Sequence, residues 1–182
     1  MKRVQGFTLI EVLVVICILT ILLTIAIPGF IRWLPSYRLK GAARDLYSSL
    51  QLAKMGAVKE RGEWAVVFNA GSNSYQVVSG GADRTYSTTG DNVVQKTVKL
   101  NDYGSGVAYG PGSATGGILG TSLADVISFQ SPDDVVVFNS RGMINGNGGY
   151  AYMQNNRNTV YGVGTWPSGA VVLRRWSGSG WE

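Results

Sequence analysis

The chain has 182 residues, with 16 Lys plus Arg against 11 Asp plus Glu for a formal net charge of +5, no His, one Cys and 25 Gly. Without His there is no imidazole base, no Ser–His–Asp relay and no ordinary zinc or copper site. A single Cys excludes an intrachain disulfide and any Cys-x-x-Cys motif. Charged residues make up 15% of the chain, against roughly 25% in an average soluble domain. Gly is about twice its usual ~7% share. That combination points to a membrane segment, a loop-rich β domain, or both. The length allows one compact domain of ~100–150 residues plus an appendage.

From Val12 to Ile31 there are 20 residues and no charge. As a helix rising 1.5 Å per residue this run spans ~30 Å, the thickness of a bilayer's hydrocarbon core. It has no 3.6-residue periodicity, so it is apolar on every side and needs either lipid or complete burial. A chain of this size has too little protein to wrap it. A secretory signal peptide fits poorly. The run exceeds the usual ~7–15-residue apolar region, and Ile25-Ala26-Ile27-Pro28 places bulky residues where a small-x-small cleavage site belongs. Glu11 lies inside an otherwise apolar stretch that begins at Phe7. A carboxylate there costs ~2.5–3.5 kcal/mol near the bilayer centre and less toward an interface, so it needs a partner and marks a functional position.

Gly6-Phe7-Thr8-Leu9-Ile10-Glu11-Val12 behind a short basic leader resembles the type III leader of type IV pilins and type II secretion pseudopilins. Pro28, late in the same helix, extends the resemblance. It implies that a prepilin peptidase cuts between Gly6 and Phe7 on the cytoplasmic side and that Phe7 is then N-methylated. The new ammonium at Phe7 would neutralise Glu11. At a spacing of four the two could pair within a chain; the family implies pairing between neighbouring subunits, as a registry device. Lys2 and Arg3 precede the span, whereas Arg32, Arg38, Lys40 and Arg44 follow it. That bias taken alone favours the opposite orientation, but the cleavage motif requires the leader in the cytoplasm.

Leu39, Ala43, Leu46, Leu50, Ala53 and Ala57 recur at spacings of four and three, one apolar stripe on an amphipathic helix. Lys40, Arg44, Asp45, Gln51, Lys54 and Lys59 fall on its other faces. The helix is predicted to end near Arg61-Gly62, with Gly62 as its cap. Pro28 and Pro35 predict kinks or a local break, and Pro28 is the assigned kink. Strands are predicted at Trp64 to Phe68, Tyr75 to Val78, Val93 to Leu100 and Val126 to Phe129. Four more follow at Val135 to Phe138, Gly149 to Met153, Thr159 to Val163 and Ala170 to Trp176. The segment from Gly104 to Gly120, with seven Gly in 17 residues, reads as a long loop. It lacks the Lys and Ser or Thr of a phosphate-binding loop. The fold class is α+β. A long N-terminal helix, membrane half plus amphipathic stalk, packs on a mostly antiparallel, twisted β-sheet domain. The divisions are a leader at 1–6, a transmembrane and assembly helix at 7–31, a stalk at 32–61 and a globular β-rich periplasmic domain at 62–182.

The run Val135 to Gly142, the Tyr150 and Tyr152 strand and the closing segment Ser168 to Trp176 are similar to the GspH/FimT family of minor pseudopilins and pilins. The resemblance implies a pilin-like fold and a minor pseudopilin of a type II secretion system, held in the inner membrane by one span with its C-terminal domain in the periplasm. The implied partners are other pilin or pseudopilin subunits, the prepilin peptidase, membrane lipid and an inner-membrane assembly platform. No catalytic constellation, metal site or cofactor is predicted. Asp133-Asp134 reads as a turn rather than half of a calcium site, and Cys17 as a small apolar filler.

Residues 7 to 134 are balanced in charge, whereas residues 135 to 182 carry Arg141, Arg157, Arg174 and Arg175 against Glu182 alone. Tyr150, Tyr152, Tyr161, Trp166, Trp176 and Trp181 are interleaved with these arginines, a composition able to bind a nucleic-acid backbone and stack on bases. The alternative function is therefore a minor type IV pilin, FimT-like, that takes up DNA. The Gly-Arg-x-Arg segment of such pilins is replaced here by Gly169, apolar residues and Arg174-Arg175. Strand alternation sends those two arginines to opposite faces.

Overall fold

The computed structural model describes residues 7–88, 90–104, 106–120, 122–129 and 134–182. One helix, α1, covers Leu9–Glu60 and continues through Pro28 and Pro35, so the local break expected there does not occur. Each proline removes one backbone donor, and the rungs on either side keep the helix. Two compact units divide the chain, Met1–Leu34 and Pro35–Glu182. In the first, every described residue from Phe7 to Trp33 is exposed. Among the described residues, nothing in that unit covers the apolar run.

In the second unit the predicted stripe is the core. Leu39, Ala43, Leu46, Leu50, Ala53 and Ala57 are all 0% exposed, and Ala42 joins them. Small residues on half of these positions let the helix backbone approach its neighbours closely. Among the glycines of α1 the tightest position is Gly56, where an added Cβ would stand 2.5 Å from the Trp64 ring. The Trp64 indole N–H donates to Glu60 Oε2 at 2.8 Å, tying the ring to the last turn of α1.

The helix ends one residue earlier than the cap prediction. Arg61, with φ of 53°, takes the left-handed position. Its N–H donates to Val58 O at 3.4 Å, and that of Gly62 to Ala57 O at 3.1 Å. This is the Schellman pattern, with Arg61 where Gly is usual. Gly62 is small for another reason: a Cβ there would meet Arg84 Cβ at 2.7 Å.

Two sheets, rather than one, follow. The strands are β1 (Trp64–Asn69), β2 (Ser74–Ser79), β3 (Val93–Lys99), β4 (Ala108–Tyr109), β5 (Val135–Phe138), β6 (Gly149–Gln154), β7 (Val160–Thr165) and β8 (Val171–Arg175). The orders are β3-β2-β1-β5 and β4-β6-β7-β8, and every pairing is antiparallel. One apolar cluster joins the α1 stripe to Val66, Phe68, Tyr75 and Phe138 of the first sheet and to Ala151, Met153 and Val163 of the second.

The strand expected at Val126 to Phe129 is a single bridge, Ile127 to Ala151. The Tyr150 N–H donates to the Ser128 hydroxyl at 3.0 Å instead of to a backbone carbonyl, and the ladder stops there. The segment is still core: Ile127 is buried, and Phe129 stacks on Phe68 with ring centroids 4.9 Å apart. Conversely, the Gly-rich stretch contains the short β4, paired to the end of β6. A two-residue strand between glycines has no period to read.

Three substitutions test this packing by chemical denaturation of the second unit. Gly41 has no atom within 4 Å of a would-be Cβ, so Gly41→Ala should stabilise by ~1 kcal/mol through helix propensity alone. Gly56→Ala gains the same propensity but drives a methyl into Trp64, and overpacking of that kind costs ~1–3 kcal/mol. Arg61→Gly relieves a left-handed residue and should stabilise by ~1 kcal/mol. A rise in stability for Gly56→Ala would contradict the packing described.

Candidate functional site

The start of α1 carries the sequence motif. Thr8 stands just before the helix, and its hydroxyl accepts the N–H of Glu11 at 3.3 Å. Its carbonyl accepts the N–H of Val12 at 3.3 Å. Thr8-x-x-Glu11 therefore has the spacing of a capping box. Phe7 and Val12 line one concavity together with Glu11, the residue pair that staples a helix entry. Glu11 also sits in the first turn, where a carboxylate favours the helix dipole. The sequence reading assigned Glu11 only a pairing role. The capping spacing is itself a sequence signal, and it coincides with the leader motif. Because α1 begins at Leu9, Phe7 lies outside the helix, and the four-residue spacing to Glu11 does not by itself place them on one helical face. Gly6 lies outside the described residues.

Further along, α1 hides its few polar groups. The Thr20 hydroxyl donates to Ile16 O at 2.7 Å and the Thr24 hydroxyl to Thr20 O at 2.8 Å. Bonded back to the helix in this way, both hydroxyls are satisfied within it. The helix is long and apolar enough to cross a membrane, with none of its apolar window buried. Cys17 is a free thiol on this exposed surface.

The four arginines singled out in the sequence do not converge. Arg174 and Arg175 are both exposed on β8 and pair with Gly162 and Tyr161. They follow each other along an edge strand and so point to opposite faces. Arg157 lies in the β6–β7 turn, whose Asn155 side chain accepts its N–H at 2.9 Å. Arg141 lies in the turn after β5. The next residue, Gly142, abuts Gly169 of the β7–β8 turn, at the other end of the second sheet from Arg157.

The interleaved aromatics are mostly packing residues. Tyr150, Tyr152 and Tyr161 are buried. Tyr150 and Tyr152 lie against Gly164 and Gly162, where an added Cβ would meet their rings. The Trp181 ring lies 5.3 Å from Tyr152. Trp181 Nε1 donates to Gly116 O at 2.8 Å, and the Tyr152 hydroxyl accepts the Ile118 N–H at 2.9 Å. These rings pin the Gly-rich loop onto the outer face of the second sheet. Of the named aromatics, Trp166 is the one left broadly open.

A polar network that the sequence reading missed joins α1 to the first sheet. Lys96 Nζ donates to Asp45 Oδ1 at 2.7 Å and to Ser49 Oγ at 3.0 Å. Asp45 Oδ2 accepts the hydroxyls of Tyr103 at 2.8 Å and Tyr75 at 3.3 Å. Asp45 and Ser49 are four apart on α1, hence on one face. Lys96 lies beside a bulge in β3 that leaves Gln95 out of the strand register, its side chain donating to Ser79 Oγ at 3.1 Å. Asp45 precedes Leu46 at the margin of the apolar stripe, but its partner 51 positions away is fixed by strand pairing, which helix periodicity does not reveal. Burial alone would raise the Asp45 carboxyl. Bonds from Lys96 and Tyr103, the Lys96 charge and the bond from Tyr75 together bring it below its ordinary value of 3.8. Burial, together with the Asp45 carboxylate, pushes the Tyr103 phenol up.

Among the described residues no cluster of three His, Cys, Asp or Glu side chains could hold a metal ion. Of the Asp133-Asp134 pair, Asp133 lies outside the described residues. Asp134 adopts a left-handed turn conformation, with φ of 48°.

A family model described as the type II transport protein GspH matches residues 42–169. The chain belongs to the GspH family. A second model, the prokaryotic N-terminal methylation motif, matches residues 1–27. Among solved structures, the chain is similar to the type IV minor pilin FimU of Pseudomonas aeruginosa strain PAO1. The TM-score is 0.53 at 11% identity, over 81% of this chain and 94% of that one. That likeness shows the pilin-like fold: one long N-terminal helix on antiparallel sheets. No curated protein matches the chain. The GspH match includes Asp45, Lys96, Arg141 and Arg157 but stops short of β8, leaving Arg174 and Arg175 outside it.

The Asp45 network sets an acid limit on this GspH-family unit. A carboxyl whose value is lowered on folding contributes stability above its unfolded value. That contribution is lost as pH falls through the folded one. Stability should therefore hold above about pH 4 and drop below it. Asp45→Asn should flatten that drop and cost ~1–2 kcal/mol at neutral pH, a range kept low because the pair is about a third open to solvent. Urea midpoints measured from pH 3 to pH 7 check this; an unchanged acid limb in the variant would remove Asp45 as its cause.

Proposed function

We propose that this protein is a minor pseudopilin of a type II secretion system, a structural subunit and not an enzyme. It waits in the inner membrane as a single-pass protein with its globular unit in the periplasm, then enters a short filament through α1. The observation that carries this reading is the GspH match over 42–169 behind a helix whose apolar surface the first unit leaves uncovered. A prepilin peptidase removes residues 1–6 between Gly6 and Phe7, and Phe7 is N-methylated. The methylation-motif match over 1–27 supports both steps. Glu11 then has two tasks. It occupies the capping position within its own helix, and it neutralises the Phe7 ammonium of a neighbouring subunit during assembly. Pro28 sets a bend in the membrane half. Residues 7–31 are the membrane and assembly helix, 32–61 the stalk and 62–182 the periplasmic domain. The partners are other pseudopilin subunits, the peptidase, lipid and the assembly platform, and the work is packing without bond-making chemistry.

A second reading, a minor type IV pilin, draws on the fold shared with the minor pilin FimU. Its DNA-uptake version rests on exposed Arg174 and Arg175, with Arg141 and Arg157 as further candidates. The buried tyrosines weaken it, because rings committed to packing are not platforms for bases.

Mass spectrometry of the mature protein should find N-methyl-Phe7 at the N-terminus, and Gly6→Ala should leave the leader attached. A mature start near Gly29 would instead indicate a secreted protein. Glu11→Ala should leave the globular unit folded while abolishing incorporation into filaments. Incorporation at the wild-type level would remove the charge-pairing role. A gel shift at low salt, where phosphate contacts are strongest, should show no DNA binding; a salt-sensitive shift lost in Arg174→Gln/Arg175→Gln would favour the second reading.

A further inference from the structure

We propose that the turns of α1 opening the second unit form an electrostatic contact with anionic phospholipid headgroups; this rests on the membrane reading above. Tyr37, Lys40 and Arg44 are spaced by three and four residues, so they share one stripe of the helix. All three are exposed. The opposite face, Leu39, Ala42, Ala43 and Leu46, is fully buried, so the stripe cannot turn inward.

The charge on this stripe is not cancelled locally. From Val12 to Arg44 there is no acidic residue, so Lys40 and Arg44 have no carboxylate in the preceding turns of the helix. The first carboxylate, Asp45, is held by Lys96, Tyr103 and Tyr75. Among the described residues neither Lys40 nor Arg44 is in an ion pair. Farther along, the stripe continues through Ser48, Leu52 and Met55, which are exposed and uncharged. Lys40 and Arg44 are thus the cations at the end that follows the apolar run in sequence, and the next on the stripe, Lys59, stands on the last turn of α1. Only residues 32–36 separate that run from Tyr37.

The ligand chemistry follows from these groups. Lys and Arg carry their charge on long flexible stems that reach a lipid phosphate, and a Tyr ring is at home at headgroup level. Each Lys or Arg near an anionic surface contributes about fivefold, ~1 kcal/mol. The excess of cations after the span, which runs against the usual orientation bias, then has a use. It holds the unassembled subunit against its membrane, and extraction into a filament must break that contact.

The test uses the full chain in nanodiscs of phosphatidylglycerol mixed with phosphatidylcholine. Lipids retained after mild detergent extraction are quantified by mass spectrometry. Phosphatidylglycerol should be enriched on the wild-type chain at low salt and less so in 0.5 M salt, where charges are screened. Lys40→Gln/Arg44→Gln should reduce the enrichment by about fivefold. Lys59→Gln, on the last turn of α1, should leave it unchanged. Equal enrichment in the wild type and the double variant, with both folded by circular dichroism, overturns the proposal. A chain that does not enter the discs at all overturns the membrane reading beneath it, a separately visible result.

Discussion

A helix that is apolar on every face has no stable place in water, and the rest of this molecule is arranged around that constraint. From Phe7 to Trp33 every described side chain of the first unit is exposed. Thr20 and Thr24 bond their hydroxyls to carbonyls of the helix, and from Val12 to Ile31 it carries no charge. Burial of apolar surface gains ~25 cal/mol per Å², and the first unit leaves this gain to lipid or to other subunits. The same helix, in the second unit, has its stripe fully covered by two sheets. Assembly and folding therefore draw on the same kind of burial, one between molecules and the other within one.

The stripe was legible because helix periodicity reports burial directly. Leu39, Ala43, Leu46, Leu50, Ala53 and Ala57 share one face by their spacing, and all six are buried. The strands with alternating or continuous apolar runs, such as Val135–Phe138, were legible for the same reason. What escaped depends on partners distant in sequence. The Ser128 hydroxyl ends a ladder that apolar content alone would extend. β4 lies between glycines and exists because β6 offers it an edge. The Asp45–Lys96 pair needs both a strand register and a bulge. The cap moved by one residue because Arg61 tolerates a left-handed turn that the sequence would assign to Gly62.

The candidate site shows a similar split. The leader motif is local and stands in the sequence, and it carries the family match over 1–27. The arginine and aromatic region looked like one surface because its residues are close in sequence. Folding sends Arg157 and Arg141 to opposite ends of the second sheet and puts Tyr150 and Tyr152 under a loop. Aromatic rings laid against strand glycines are a way of filling a sheet face. That accounts for these tyrosines without any ligand. The high Gly content noted at the outset reflects this pairing and the pinned loop as much as turns.

Everything above depends on the first unit of α1 being covered by membrane in the living cell. The single native thiol, Cys17, reports on it directly. Spheroplasts treated with a membrane-impermeant maleimide should leave Cys17 unmodified. The same reagent should modify a cysteine placed at the exposed Ser48 of the second unit in a Cys17→Ser background. Modification of Cys17 at the rate seen for Ser48→Cys would mean that the apolar helix lies in water and not in a membrane.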